Sequence, residues 1–233
     1  HLLQTKPTPH NHLIFYLHGG GYILGPGTPQ WSLSQYLARH TQHDLALLDY
    51  PKAPENNAAT TIDITNQAFD HLLKQYPANH ITIIGDSAGG GLALALAHYR
   101  RDHNLSLPRQ LILLSPWLDL TLAHPAIPQY QNDVILDQQG LILCGLSYAA
   151  DQDPQHPYLS PINAPPHQNL PTHIFASTAE ILYPDCHDYA QLAQQQNAPT
   201  HLHTYHQTPH VWPLIPMPET THARQKMRTL LTP

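Results

Sequence analysis

One stretch, Ile81–Gly91 (ITIIGDSAGGG), limits what this chain can fold into more than any other. Ile81 to Ile84 form an apolar run of strand length. Gly85, Asp86, Ser87, Ala88 and Gly89 then spell G-x-S-x-G, and Leu92, Leu94 and Leu96 with their alanines read as a helix that begins at once. A strand, an abrupt turn and a helix, with a serine at the apex, is the setting of a nucleophile elbow. Such a turn strains the serine backbone, so the residues two before and two after it must be small, and here both are glycine. The helix that follows brings N–H groups and positive potential beside the hydroxyl. A glycine-rich turn of this kind also suits phosphate binding or tight packing. The stretch, however, lacks the lysine of a P-loop and the spacing of a dinucleotide fingerprint.

The rest of the sequence has the rhythm that such an elbow needs. Leu13–Leu17, Leu45–Leu48, Ile81–Ile84, Gln110–Leu114, His173–Thr178 and Thr200–Tyr205 read as strands. Helices are expected over Trp31–His40, Ala59–Tyr76, from the elbow to about Arg101, near Asp185–Gln196, and from Pro218 onward. Strands alternating with helices predict the α/β class, a parallel sheet with right-handed crossovers. At 233 residues the chain suits one large domain over 1–233. The stretch from about 122 to 166 breaks the rhythm, with many prolines and one helical run near Leu136–Tyr148. It reads as an insertion over the carboxyl ends of the strands, where open α/β sheets bind ligands. His1–Asn11 reads as the tail of a strand and a turn.

Composition excludes several classes. A formal net charge of −6 with only 10 Lys+Arg argues against a nucleic-acid partner, and no apolar run is long enough to span a membrane. Cys144 and Cys186 make no disulfide framework, which suits a reduced, cytoplasmic protein, although a single bridge stays open. The chain starts at His1, so an upstream segment is expected and a signal peptide is not readable. The 20 histidines raise a metal site at His201, His203 and His206. No acidic or cysteine ligand completes that set, and a surface rich in His and Gln is the favoured reading. No metal or cofactor is expected.

Acyl transfer needs a nucleophile, a base to take its proton, an acid to orient the base, and donors for an oxyanion. Ser87, a carboxylate after the His173–Thr178 strand, and His210 after the last strand would all lie along one sheet edge. Three glycines follow the first long strand in HGGGY (18–22), where backbone N–H groups can approach a ligand.

Together HGGGY, DYPKAPE (49–55), GDSAGGGLALALA (85–97), SPWLDLT (115–121), YLSP (158–161), AEILYPD (179–185) and HVWP (210–213) resemble the hormone-sensitive-lipase-like family of α/β-hydrolases, carboxylesterases and lipases. The likeness runs through essentially the whole chain. It implies Ser87 as nucleophile, His210 as general base, and the N–H groups of Gly19, Gly20 and Ala88 as the oxyanion hole. The family's acid position falls on Glu180, counted back from Tyr189-Ala190, with Asp185 as the rival; Glu180 is favoured because catalytic groups sit just after the strand. His18, Asp86, Pro54, Glu55 and Asp119 read as structural, and Cys186 has no elbow around it. Tyr22, Trp117, Tyr148 and Trp212 suit either pocket walls or core. The family's cap joins an N-terminal arm to the insertion, and the arm and first strands are expected to be missing here.

The resemblance implies a serine esterase for short- to medium-chain acyl esters, acting on a small-molecule substrate through an acyl-enzyme. It leaves room for a homodimer. The alternatives are an amide hydrolase of arylformamidase or acyl-peptide type on the same residues, and a binding protein of the same fold without catalysis.

Overall fold

The structure is a computed structural model that describes residues 2–3 and 10–232. Its strands are β1 Leu2–Leu3, β2 Leu13–Leu17, β3 Asp44–Leu48, β4 Ile81–Asp86, β5 Gln110–Leu114, β6 Thr172–Ser177 and β7 Thr200–Tyr205. Its helices are α1 Thr28–Thr41, α2 Ala58–Leu72, α3 Ala88–Asp102, α4 Gln138–Ala149, α5 Tyr183–Gln195 and α6 Pro218–Leu231. The described strands form one sheet in the order β1-β3-β2-β4-β5-β6-β7. From β3 to β7 every pairing is parallel, and β1 adds a short antiparallel edge, with Leu2 opposite Ala46. The rest of the tail expected over His1–Asn11 lies mostly outside the described residues.

The apolar runs are continuous because the central strands are covered on both faces. Alternate residues go to opposite sides, as a period of two demands. Phe15, Ile83, Leu113 and Ile174 pack with α2, α3, α4 and α5, while Tyr16, Ile84, Ile112 and Phe175 pack with α1 and α6. β4 is the middle of this sandwich, buried along its whole length. Parallel pairing brings the carboxyl ends of β2, β4, β5 and β6 to one edge of the sheet.

The helix expected over Ala59–Tyr76 is shorter than its pattern. It stops at Leu72, and the N–H groups of Gln75 and Tyr76 both turn back to the Leu72 carbonyl. Tyr76 is buried in that turn, where its hydroxyl donates to Asp44 Oδ2 at 2.7 Å. An apolar residue past a helix end can thus continue the periodicity without continuing the helix. The 122–166 segment holds α4 and two short 3₁₀ turns, Ile127–Tyr130 and Pro161–Asn163, and no strand among the described residues. Its helix α4 is anchored from below by Tyr148, which stacks on Tyr22 at 3.7 Å between ring centres.

Three glycines around Ser87 are required by contact. A Cβ on Gly85 would strike the backbone of Gly89, one on Gly89 would strike the carbonyls of Leu17 and His18, and one on Gly91 would strike the Trp117 carbonyl. All these neighbours are backbone and cannot swing aside. Gly89→Ala should therefore cost about 3 kcal/mol of stability, the upper range for overpacking. Urea unfolding checks this as a lower midpoint at unchanged slope.

Candidate active site

The elbow begins with the register of β4. Gly85 pairs with Leu113 and Asp86 with Leu114, so the strand runs as far as Asp86 before the chain reverses. Ser87 then takes φ 53° and ψ −121°, a combination that non-glycine residues rarely adopt. Such strain costs about 1–3 kcal/mol and persists only where the surroundings over-determine it. Here the Ser87 N–H donates to the Leu114 carbonyl at 2.8 Å, and its own carbonyl accepts from Gly90, Gly91 and Trp117. The side chain is left at the carboxyl edge of the sheet, 7% exposed.

His210 and Glu180 meet it there. His210 Nε2 lies 2.9 Å from Ser87 Oγ, and His210 Nδ1 lies 2.6 Å from Glu180 Oε2. A carboxylate only accepts, so Nδ1 carries the ring proton and Nε2 is left bare to accept from the serine hydroxyl. The other carboxylate oxygen of Glu180 is also held, by the Ser177 N–H at 2.8 Å. Glu180 is fully buried, and His210 is 3% exposed. The loop that carries His210 is fixed on both sides. Ser177 Oγ donates to the Thr208 carbonyl at 2.5 Å, and the Val211 N–H donates to Ser115 Oγ at 3.1 Å.

The glycine loop after β2 closes the other side. Gly20 and Gly21 have φ of 118° and 62°, conformations that favour glycine. Above Gly21, α4 brings Cys144, whose Sγ would lie 3.4 Å from a Cβ at that position. His18 sits beneath the loop, donating from Nδ1 to the Gly19 carbonyl at 2.7 Å and stacking on Tyr50 at 4.2 Å. Burial lowers the pKa of its ring below the ordinary histidine value. His18 thus supports the loop from below.

A family model described as the alpha/beta hydrolase fold matches residues 14–214. The chain belongs to that α/β-hydrolase family. An acetyl-hydrolase of Streptomyces hygroscopicus is 30% identical over 209 residues, which cover 87% of this chain and 70% of that protein. An esterase of Acinetobacter venetianus is 34% identical over 196 residues, covering 83% of this chain and 65% of its own length. The chain therefore spans about two thirds of these curated relatives. Among solved structures, an esterase from the bacterial hormone-sensitive lipase family superposes with a TM-score of 0.92 at 26% identity, over 99% of this chain and 79% of that one. An esterase/lipase from an uncultured bacterium gives 0.90 at 29% identity, over 99% of this chain and 79% of that one. The resemblance to hormone-sensitive-lipase-like enzymes thus holds along nearly the whole chain.

Within this α/β hydrolase, the backbone of Gly19 lies against the Asp86 carboxylate. Asp86 also accepts from Tyr16 Oη at 2.8 Å and Gln30 Nε2 at 3.2 Å. Burial raises its pKa, and these donors oppose the rise. Asp86 therefore bonds mainly to groups far away in sequence, and not to its chain neighbours. The N–H groups of Gly20 and Gly21 have no protein acceptor among the described residues, and Ala88 opens α3, where first-turn N–H groups point outward. Gly21, the third glycine of HGGG, also has a positive φ.

Asp185 lies elsewhere. It sits in the first turn of α5, 2% exposed, with Oδ2 unpartnered among the described residues. Burial, then the nearby charge of Asp119, pushes its pKa up to about 7. Asp119 ties its own loop through Thr121 and Ser160. Cys186 is buried, with its thiol donating to the Pro116 carbonyl at 3.5 Å and its pKa pushed up by burial. Tyr22, Trp117, Tyr148 and Trp212 are core, each at most 1% exposed. No group of three or more His, Cys, Asp or Glu among the described residues is arranged to hold a metal ion. His201 and His203 share a face of β7 as expected, but they stack on His173 instead.

The raised pKa of Asp185 gives a signed prediction. The unfolded carboxyl ionises near 3.8 and the folded one near 7, so the folded state loses stability as pH rises through that window. Asp185→Asn removes the penalty. Its melting temperature should exceed that of the unmodified protein at pH 8, and the gain should shrink towards pH 4, in thermal scans across that range.

Proposed function

We propose that the chain is a serine carboxylesterase that cleaves short- to medium-chain acyl esters through an acyl-enzyme. The observation that carries this reading is the continuous hydrogen-bond chain Ser87 Oγ–His210 Nε2 and His210 Nδ1–Glu180 Oε2, set on a strained elbow. The printed names of the relatives, acetyl-hydrolase and esterase, point to the same bond class.

In this reading Ser87 Oγ attacks the ester carbonyl carbon as His210 Nε2 takes its proton. Glu180 holds the ring in the Nδ1–H tautomer and stabilises the imidazolium that forms. The negative charge that develops on the carbonyl oxygen is met by the N–H groups of Ala88, Gly20 and Gly21, with Gly19 held against Asp86. Each such donor is worth about 3 kcal/mol in the transition state. His210 then protonates the leaving alcohol oxygen, and the acyl group stays on Ser87. A water molecule gives its proton to His210 and attacks the acyl carbon, which frees the acid and restores the serine. The elbow helix α3 places its positive end beside the same oxygen. These steps need no metal or organic cofactor. The 122–166 segment, with α4 above Gly21, serves as the cap part of a single hydrolase domain. No described helix is long and apolar enough to cross a membrane, and both cysteines are free. A cytoplasmic location suits both facts.

Hydrolysis of p-nitrophenyl esters from acetate to decanoate tests the reading. Turnover should be greatest on the shorter chains and fall to background in Ser87→Ala, while Glu180→Gln should lose about 10³–10⁴-fold in kcat. Asp185→Asn should keep wild-type kcat. Activity confined to the matching anilides would make the protein an amide hydrolase. A folded protein inert to both series would count against catalysis altogether.

A further inference from the structure

The acid's turn is tied to the insertion by a residue outside the proposed triad. Asp133 lies in the 122–166 segment, half-buried, just ahead of α4. Its Oδ2 accepts the N–H of Ile181 at 2.9 Å, and Ile181 is the residue that follows Glu180. Its Oδ1 accepts the N–H groups of Ile135 at 2.9 Å and Leu136 at 3.0 Å. One carboxylate thus clasps two segments 48 residues apart in sequence.

The local geometry makes this clasp matter. Glu180 is held within its own turn by the Ser177 N–H and by Tyr183, whose N–H donates to the Glu180 carbonyl at 3.1 Å. Those bonds fix the turn's shape, and the Thr178 N–H, which donates to the Tyr205 carbonyl at 2.9 Å, ties its start to β7; the half that follows Glu180 is tied to the insertion through Ile181. Ile181 is buried, and its N–H points away from the turn towards the insertion. Removing that bond would free the turn to shift on the scale that a 2.6 Å Glu180–His210 bond does not tolerate. On the insertion side, the same carboxylate holds the backbone beneath Val134 and Ile135, which are 84% and 50% exposed. A segment so little buried has few other contacts to keep it still.

We infer that Asp133 is a positioning residue: it sets the height of the Glu180 turn and couples the insertion to the orientation of His210. The inference rests on the triad reading above. Its ionised form suits the role, because a carboxylate accepts three backbone N–H groups with no proton of its own in the way.

The test is Asp133→Asn in the full chain. The substitution keeps the volume and one accepting oxygen but turns an N–H₂ group towards Ile181 or Ile135. With p-nitrophenyl acetate, kcat should fall about tenfold with KM within twofold of wild type. The acid limb of the kcat/KM profile should move to lower pH, since a less well-placed carboxylate supports the imidazolium less. A lower melting temperature with kcat and the acid limb unchanged would reduce Asp133 to a structural residue and overturn the inference. A raised KM at constant kcat would also overturn it, by placing the effect in substrate binding. Should Asp133→Asn not fold, Asp133→Ser is judged by the same criteria, since its hydroxyl can still serve Ile135 but is too short for Ile181. Ser87→Ala and Glu180→Gln are run alongside. If those two keep wild-type turnover, the triad reading fails and takes the inference with it; if they lose turnover and Asp133→Asn does not, only the inference fails.

Discussion

The backbone of Ser87 is the constraint on which the rest of this molecule depends. A non-glycine residue at φ 53° and ψ −121° is unfavourable by itself and must be held by its neighbours. Those neighbours account for much of the sequence that looks distinctive. Gly85 and Gly89 exist because backbone occupies the space of their side chains, and Gly91 is pressed against the Trp117 carbonyl in the same way. Leu114 and Trp117 close hydrogen bonds on the two sides of the turn. Buried strands on either side of β4 make the platform stiff enough to hold the strain.

Around that turn the side chains form two linked frames. One carries His210 and Glu180: Ser177 and Ser115 fix the loop on either side of His210, and Glu180 spends one oxygen on the Ser177 backbone and the other on the histidine. The other carries the glycine loop after β2. Asp86 gathers Tyr16, Gln30 and the Gly19 backbone, while His18 supports the loop from below. Asp86 is therefore the joint between the elbow and the glycine loop, although it touches no reacting atom. Both frames reach Ser87, so a side chain placed by backbone strain is approached by groups from several separate strand ends.

The fold was legible because parallel strands buried on both faces leave continuous apolar runs, and each long strand expected from such a run is present within a residue or two. The elbow was legible for a steric reason, since only glycine fits at 85 and 89. The order of Ser87, Glu180 and His210 along the chain, each at a strand's carboxyl end, pointed to where they would converge. Other features could not be read in one dimension. The α2 pattern ran on through Tyr76 because a turn residue can point into the core as well as a helix residue does. Gly19 looked like Gly20 and Gly21, but the Asp86 carboxylate, 67 positions on, lies against its backbone. Ser115 and Ser177 were ordinary serines in sequence, and only the approach of the loop after β7 to the ends of β5 and β6 gives them these partners. Asp185 was separable from Glu180 by its place in the motif, and the structure buries it away from the hydrogen-bond chain.

The most direct test of this account is to treat the folded protein with a fluorophosphonate and map the adduct by peptide mass spectrometry. The account predicts one equivalent of label, carried by the peptide containing Ser87, and a rate of labelling that collapses in His210→Ala. A label on another residue, or labelling of Ser87 at the same rate without His210, would contradict it.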